Sequence, residues 1–178
     1  MHRGIHPAQL ASVAAMACSG LALAAVVPAL VRLTRRSPLW AGVSLPAAVA
    51  LPLLVLLHAV VVLGGLVVPV PSSAAFVTQP LLLAAAVVFW LPALADTPHR
   101  LSDPGRCLYL FLAAPLLDLP AVGVIAAGHS ADGLAMIVGM LPLGLIAAAV
   151  TWSWVTTEER TAPDVLAPPA QEAEPYAG

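Results

Sequence analysis

The chain alternates long apolar runs with short polar breaks. A helix needs about 20 apolar residues to cross a hydrocarbon core of ~30 Å. Five runs reach that length, at about 9–31, 43–68, 76–95, 107–127 and 133–155. The breaks between them hold five of the seven arginines. The pattern therefore predicts an all-α integral membrane bundle of five transmembrane helices.

The composition strengthens this prediction and restricts the binding partners that we expect. The chain is 61% hydrophobic and 9% charged, whereas soluble domains are about 25% charged. It has neither a basic stripe nor an aromatic platform, so no nucleic-acid partner is expected and the lipid bilayer is the first partner. Cys18 lies inside the first run and Cys107 at the edge of the fourth, so we expect no disulfide between them.

The arginines predict the orientation. With the N-terminus outside and the C-terminus inside, every arginine except Arg3 lies on the cytoplasmic side, as the positive-inside rule requires. We therefore expect a multi-pass protein of the cell membrane. A signal peptide is the alternative for the first run. Cleavage would leave the basic turn at residues 32–36 on the translocated side, and the run is long for a signal.

The chain divides into two parts by composition. Residues 1–157 form the predicted transmembrane domain. Residues 158–178 are rich in proline, alanine and acidic residues, so we expect a disordered cytoplasmic tail.

Three polar side chains raise the question of a site. Asp118 and His58 fall deep in the fourth and second runs, and Asp132 lies in the polar break just before the fifth. Charges at the bilayer centre are costly and usually face the bundle interior. One hypothesis is that His58 and Asp118 meet, as a metal or proton site. The alternative is that each bonds to a backbone carbonyl or a hydroxyl; we expect Asp118 to be a bundle-facing structural carboxylate with His58 as its side-chain partner.

Soft ligands lie in the same half of the bundle. Met136 and Met140 share one helix face at i, i+4, and Met16 and Cys18 lie at comparable depth in the first run. Thioether, thiol and the imidazole of His58 together suit Cu(I) better than hard cations. The alternative is that the methionines are ordinary core packing. The chain has no G-x-S-x-G, Walker or HExxH motif, so no enzyme is predicted.

Several segments, read in order, resemble the membrane-embedded cytochrome c oxidase assembly factor CtaG family. They cover roughly residues 10–160 and read "VVPALVRLTRRSPL", "LPAAVALPLLVLLHAV", "LLLAAAVVFWLPAL", "RLSDPGRCLYLFLAAPLLDLPAVGVIAA" and "SADGLAMIVGMLPLGLIAAAVTWSWVTTEER". The resemblance implies copper supply to the oxidase and contact with oxidase subunits.

This chain differs from the family at the positions where the family carries its metal ligands. The family opens with an H-x-x-x-H segment, but the matching positions here read "AQLASVAAM", with His2 and His6 several residues earlier. Gln79 and Pro80 stand where the family has a Glu-His pair. His58 and Asp132 still match, and Met140 matches approximately. The chain thus resembles a short, ligand-depleted member.

Three functions follow as hypotheses. The first is an assembly factor for a terminal cytochrome c oxidase that assists Cu(I) delivery at His58, Met136 and Met140. The second is a metal-free membrane scaffold or interaction subunit. The third is a small proton- or solute-conducting bundle that uses His58 and Asp118.

Overall fold

The chain folds as a helical bundle with five spans. The computed structural model describes residues 7–68 and 72–166, and within those ranges it contains helices and turns but no strand. Five helical stretches are long and apolar enough to cross a membrane: Gln9–Leu33, Ala47–Val67, Phe76–Leu94, Asp103–Ala126 and Ser130–Thr161. The predicted all-α, five-span membrane architecture is confirmed.

The first span is composite and the other four are continuous. It consists of α1 (Pro7–Leu21), a π-helical turn (Ala22–Val26) and α2 (Val27–Leu33). A short helix, α3 (Leu39–Val43), lies in the loop that follows. The remaining spans are α4 (Ala47–Val67), α5 (Ser72–Leu94), α6 (Asp103–Ala126) and α7 (Ser130–Leu166).

Helix α7 is longer than the sequence predicts. It has 37 residues, about 55 Å at 1.5 Å per residue, and so it projects beyond a hydrocarbon core of ~30 Å. The predicted start of the disordered tail at residue 158 is therefore wrong for residues 158–166, which are helical. Residues 167–178, the rest of the predicted tail, lie outside the described residues.

Helix α7 packs against α1 and α6, and α4 packs against α5 and α6. Helices α1 and α7 approach each other closely where Gly20 and Gly139 face each other. A Cβ atom on Gly139 would lie 2.8 Å from the carbonyl oxygen of Ala17 and 3.2 Å from the Cα of Gly20. Small residues allow such backbone contact between membrane helices. The first span is thus a closely packed part of the bundle.

A proline in the first span is compensated by a tryptophan in the third. In the π-helical turn the Val27 N–H donates to the Ala22 carbonyl, five residues back. The next donor at that spacing would be residue 28, but Pro28 has no N–H, which leaves the Leu23 carbonyl without a helical donor. The indole N–H of Trp90 donates to that carbonyl at 2.9 Å. A neighbouring helix thus satisfies the freed carbonyl, as a membrane interior requires.

Aromatic side chains join α5 to α6 in the core. The Tyr109 hydroxyl donates to the Phe89 carbonyl at 2.9 Å, and the two rings stack with centroids 4.9 Å apart. Phe89 also meets Trp90 edge to face at 5.2 Å. The "FWLP" and "LYLF" segments therefore supply core packing and its hydrogen bonds.

The Tyr109 bond yields a first prediction. Tyr109→Phe keeps the stacked ring but removes the hydroxyl donor, so we expect the free energy of unfolding to fall by about 1 kcal/mol. Thermal unfolding in detergent measures the change. A variant as stable as the wild type would mean that the bond to Phe89 contributes nothing.

Candidate functional site

Several of the residues singled out from the sequence line a cavity of about 320 Å³. It lies at the end of the bundle opposite the arginine-rich loops, among α1, α4, α5 and α7. We call it the histidine cavity. Its chemically distinctive lining residues are Met16, Ser19, His58, Gln79, His129, Asp132 and Met136.

His58 is the unusual member of this lining. It lies on α4, and only 3% of its surface is exposed. Neither ring nitrogen has a hydrogen-bond partner within the described part of the chain. Buried polar groups are nearly always hydrogen-bonded, and an unsatisfied one calls for an explanation. An imidazole held in this way has a free ring nitrogen for a ligand.

Two thioethers share the cavity with His58. Met136 comes from α7 and is 3% exposed, and Met16 comes from α1 and is half-buried. Both side chains line the cavity. The lining of the cavity therefore includes two methionines and one histidine from three different helices.

Polar contacts hold the walls of the cavity together. The Ser12 hydroxyl donates to an Asp132 carboxylate oxygen at 2.9 Å, which joins α1 to α7. The Gln79 amide donates to the Ser19 hydroxyl at 3.1 Å, which joins α5 to α1. The predicted polar residue Asp132 thus has a structural partner on the first span and also borders the site.

Met140 and Asp118 belong to a different place. Met140 is also buried, but it lies one turn further along α7, where it lines a smaller cavity of about 90 Å³ together with Asp118. Of the three predicted metal ligands, the histidine cavity therefore holds His58 and Met136 but not Met140.

The predicted pairing of His58 with Asp118 is wrong. Within the described residues both ring nitrogens of His58 and the Oδ1 atom of Asp118 lack hydrogen-bond partners, so the two side chains do not bond to each other. They line separate cavities. Similar depth in the membrane did not bring them together, because their helices turn the two side chains to different neighbours.

Neither cysteine lines the histidine cavity. Cys18 is exposed and Cys107 is buried, and neither forms a disulfide. His2 and His6 lie outside the described residues. Among residues that the structure describes, no three histidine, cysteine, aspartate or glutamate side chains come together as a metal site.

Sequence reasoning identified part of this lining and missed part. His58, Met16, Met136 and Asp132 were candidates, whereas Ser19 and the role of Gln79 as a wall residue were not. The signal that could have found them is depth, because each lies within about three turns of the same end of the bundle.

Comparison with protein-family profiles, with curated proteins and with solved structures found no match for this chain. The fold and site geometry define the class, a multi-pass helical membrane protein with a buried imidazole and thioether cavity. What such a protein can do follows from the chemistry of the residues that line the cavity.

Proposed function

We propose that this protein is a membrane-embedded assembly factor for a terminal cytochrome c oxidase, and that it handles Cu(I) as cargo in the histidine cavity. The observation that carries the copper part is the environment of His58. Its buried imidazole has no hydrogen-bond partner among the described residues, and it shares a cavity with two thioethers.

The donor set fits Cu(I) by its chemistry. Thioether sulfur and neutral imidazole are ligands that soft cations prefer, whereas hard cations such as Mg²⁺ prefer oxygen. His58, Met16 and Met136 would hold the ion. An uncharged donor set in an apolar cavity also favours a monovalent ion over a divalent one, because less charge must be moved out of water.

The resemblance to the CtaG family supports the oxidase part. Three positions that it singles out, His58, Gln79 and Asp132, line the same cavity, whereas the approximate match Met140 lines the other one. They come from three spans that are distant in the sequence. Such convergence is expected if the positions descend from a shared site, even though Gln79 replaces an ionisable pair.

A second function, a metal-free scaffold for oxidase subunits, is favoured by a different observation. Trp90 and Tyr109 belong to the segments "FWLP" and "LYLF", which resemble the family. They bond to the carbonyls of Leu23 and Phe89 inside the bundle. Those residues preserve the shape of the bundle and take no part in the cavity. A protein selected for its shape alone would keep them.

The copper proposal makes a prediction with an internal control. We expect the detergent-purified protein to bind one Cu(I) in competition with a chelator of known affinity. His58→Ala and Met136→Leu should each weaken binding by at least about tenfold, since even outer-shell changes at metal sites reach that size. Met140→Leu should change the affinity less than twofold, because Met140 is equally buried but lines the other cavity.

Two outcomes would contradict the site. One is no binding at micromolar Cu(I). The other is an equal loss in Met136→Leu and Met140→Leu, which would indicate a general loss of packing.

A test in the host separates the two functions. Deletion of the gene should lower oxidase activity and the oxidase haem absorbance. The deletion strain is then given a copy of either the wild-type or the His58→Ala gene. If the variant restores oxidase activity and haem absorbance as well as the wild type does, the protein acts as a metal-free scaffold. If deletion leaves both unchanged, the oxidase proposal is wrong in either form.

A further inference from the structure

A second groove, at the opposite end of the bundle, is chemically unlike the histidine cavity. It has a volume of about 380 Å³ and lies between the end of the first span, the loop after α5, the start of α6, and α7. We call it the arginine groove. The basic residues that line it are Arg32, Arg35, Arg100 and Arg106.

The positive charge of this groove is only partly neutralised. Arg100 forms an ion pair with Asp96, and Arg106 forms one with Asp103. Arg32 and Arg35 form no ion pair with any residue that the structure describes. Arg32 lies in the last turn of α2 and Arg35 in the turn that follows, and both line the groove. The carboxylate in the lining, Asp103, is paired with Arg106 and not with either of them.

The backbone fixes the position of this charge. The Arg35 carbonyl accepts a hydrogen bond from the Asp96 N–H at 3.1 Å, which ties the first loop to the loop after α5. Arg106 is partly buried, and its guanidinium also reaches the Ala93 carbonyl at 3.5 Å. Arg35 and Arg100 thus lie in two loops that are tied together, and Arg32 and Arg106 lie in the adjoining turns of helices α2 and α6.

The remaining lining is mixed: it includes the polar residues Asp103, Ser153 and Thr157 as well as apolar and aromatic residues. Leu94, Ile146 and Val150 form the side nearest the bundle core, and Trp154 borders the groove on α7. The Trp154 indole N–H donates to a Glu158 carboxylate oxygen one turn further on, at 3.2 Å. Tryptophan with one polar contact and one apolar face is typical of the membrane interface, the level at which lipid phosphates lie.

We propose that the arginine groove binds the phosphate headgroup of an anionic phospholipid. Arg32 and Arg35 contact the phosphate, since guanidinium groups match phosphate oxygens in a bidentate manner. The start of an acyl chain lies along Leu94, Ile146 and Val150. Free inorganic phosphate shares the anionic chemistry, but it would leave those apolar walls without a partner.

Lipid titration followed by native mass spectrometry tests this proposal. Phosphatidylglycerol, phosphatidylcholine and inorganic phosphate are each added to the detergent-purified protein. We expect phosphatidylglycerol to bind more tightly than phosphatidylcholine. Arg35→Gln should weaken phosphatidylglycerol about fivefold, which is the usual effect of one basic residue near an anionic headgroup.

Arg36→Gln is the matched control. Arg36 adjoins Arg35 in the chain and is also exposed, but it does not line the groove, so its removal should change affinity less than twofold. Both variants keep the backbone bond to Asp96, and their unfolding temperatures in detergent check that they remain folded.

Three results would overturn the lipid assignment. The first is an equal loss in Arg35→Gln and Arg36→Gln, which would reduce the effect to general surface charge. The second is equal binding of phosphatidylcholine and phosphatidylglycerol. The third is displacement of the lipid by millimolar inorganic phosphate, which would make the groove a site for free phosphate.

Discussion

Trp90→Phe is expected to lower the free energy of unfolding by about 2 kcal/mol. The substitution keeps an aromatic ring in the core but removes the indole N–H that donates to the Leu23 carbonyl. Leaving a buried acceptor unsatisfied costs about 1–3 kcal/mol. The penalty applies in full here, because Pro28 cannot supply the missing donor and the site is buried within the bundle.

A double-mutant cycle with Pro28→Ala isolates this mechanism. Alanine at position 28 restores a backbone N–H, and the Val27 N–H already shows that a donor here reaches five residues back. In the Pro28→Ala background the Leu23 carbonyl therefore has an alternative donor. We expect Trp90→Phe to be milder there by about 1 kcal/mol, within the range found for residues that share a partner.

Denaturant or thermal unfolding in detergent measures all four proteins of the cycle. Trp152→Phe serves as the control, since Trp152 is 72% exposed, and its effect should stay within about 0.5 kcal/mol. An equal effect of Trp90→Phe in both backgrounds would contradict the mechanism, because it would mean that ring packing alone accounts for the loss.

The five spans were predictable because each one depends only on properties of its own segment. Length and hydropathy decide whether a segment can cross a bilayer, and neighbouring helices do not alter that requirement. The predicted and observed spans differ by a few residues, as at 43–68 against Ala47–Val67, where residues 44–46 leave the helix. The π-helical turn was not predicted, since it depends on the contact between Leu23 and Trp90.

For the candidate site, only the depth of its residues within the bundle was predictable. Depth follows from counting residues along a helix, and it placed His58, Met16 and Met136 in the same half of the bundle. The direction in which a side chain points depends on how each helix is rotated, and one residue turns it by about 100°. His58 and Asp118 could therefore be level without meeting. Met136 and Met140 do share one face of α7, but they lie about 6 Å apart along its axis and line different cavities.

Gly139→Leu is expected to destabilise the bundle more than either Tyr109→Phe or Trp90→Phe, by about 3 kcal/mol. Adding side chains to a packed interface usually costs 1–3 kcal/mol. The upper end applies at Gly139 because the first side-chain atom would lie 2.8 Å from the Ala17 carbonyl oxygen and 3.2 Å from the Gly20 Cα. Backbone atoms cannot move aside by changing rotamer, so α1 and α7 must separate.

Gly144→Leu is the matched control on the same helix. A Cβ atom at Gly144 meets nothing within 4 Å, so this variant carries the same change in residue type without the clash. Its effect should stay within about 0.5 kcal/mol. Thermal unfolding of both variants in detergent gives the comparison, and similar losses at positions 139 and 144 would contradict the close packing of α1 on α7. Separation of these helices should also break the bond from Ser12 to Asp132. A weakened Gly139→Leu variant would therefore lose the wall of the histidine cavity that the first span provides, and any Cu(I) binding should fall with it.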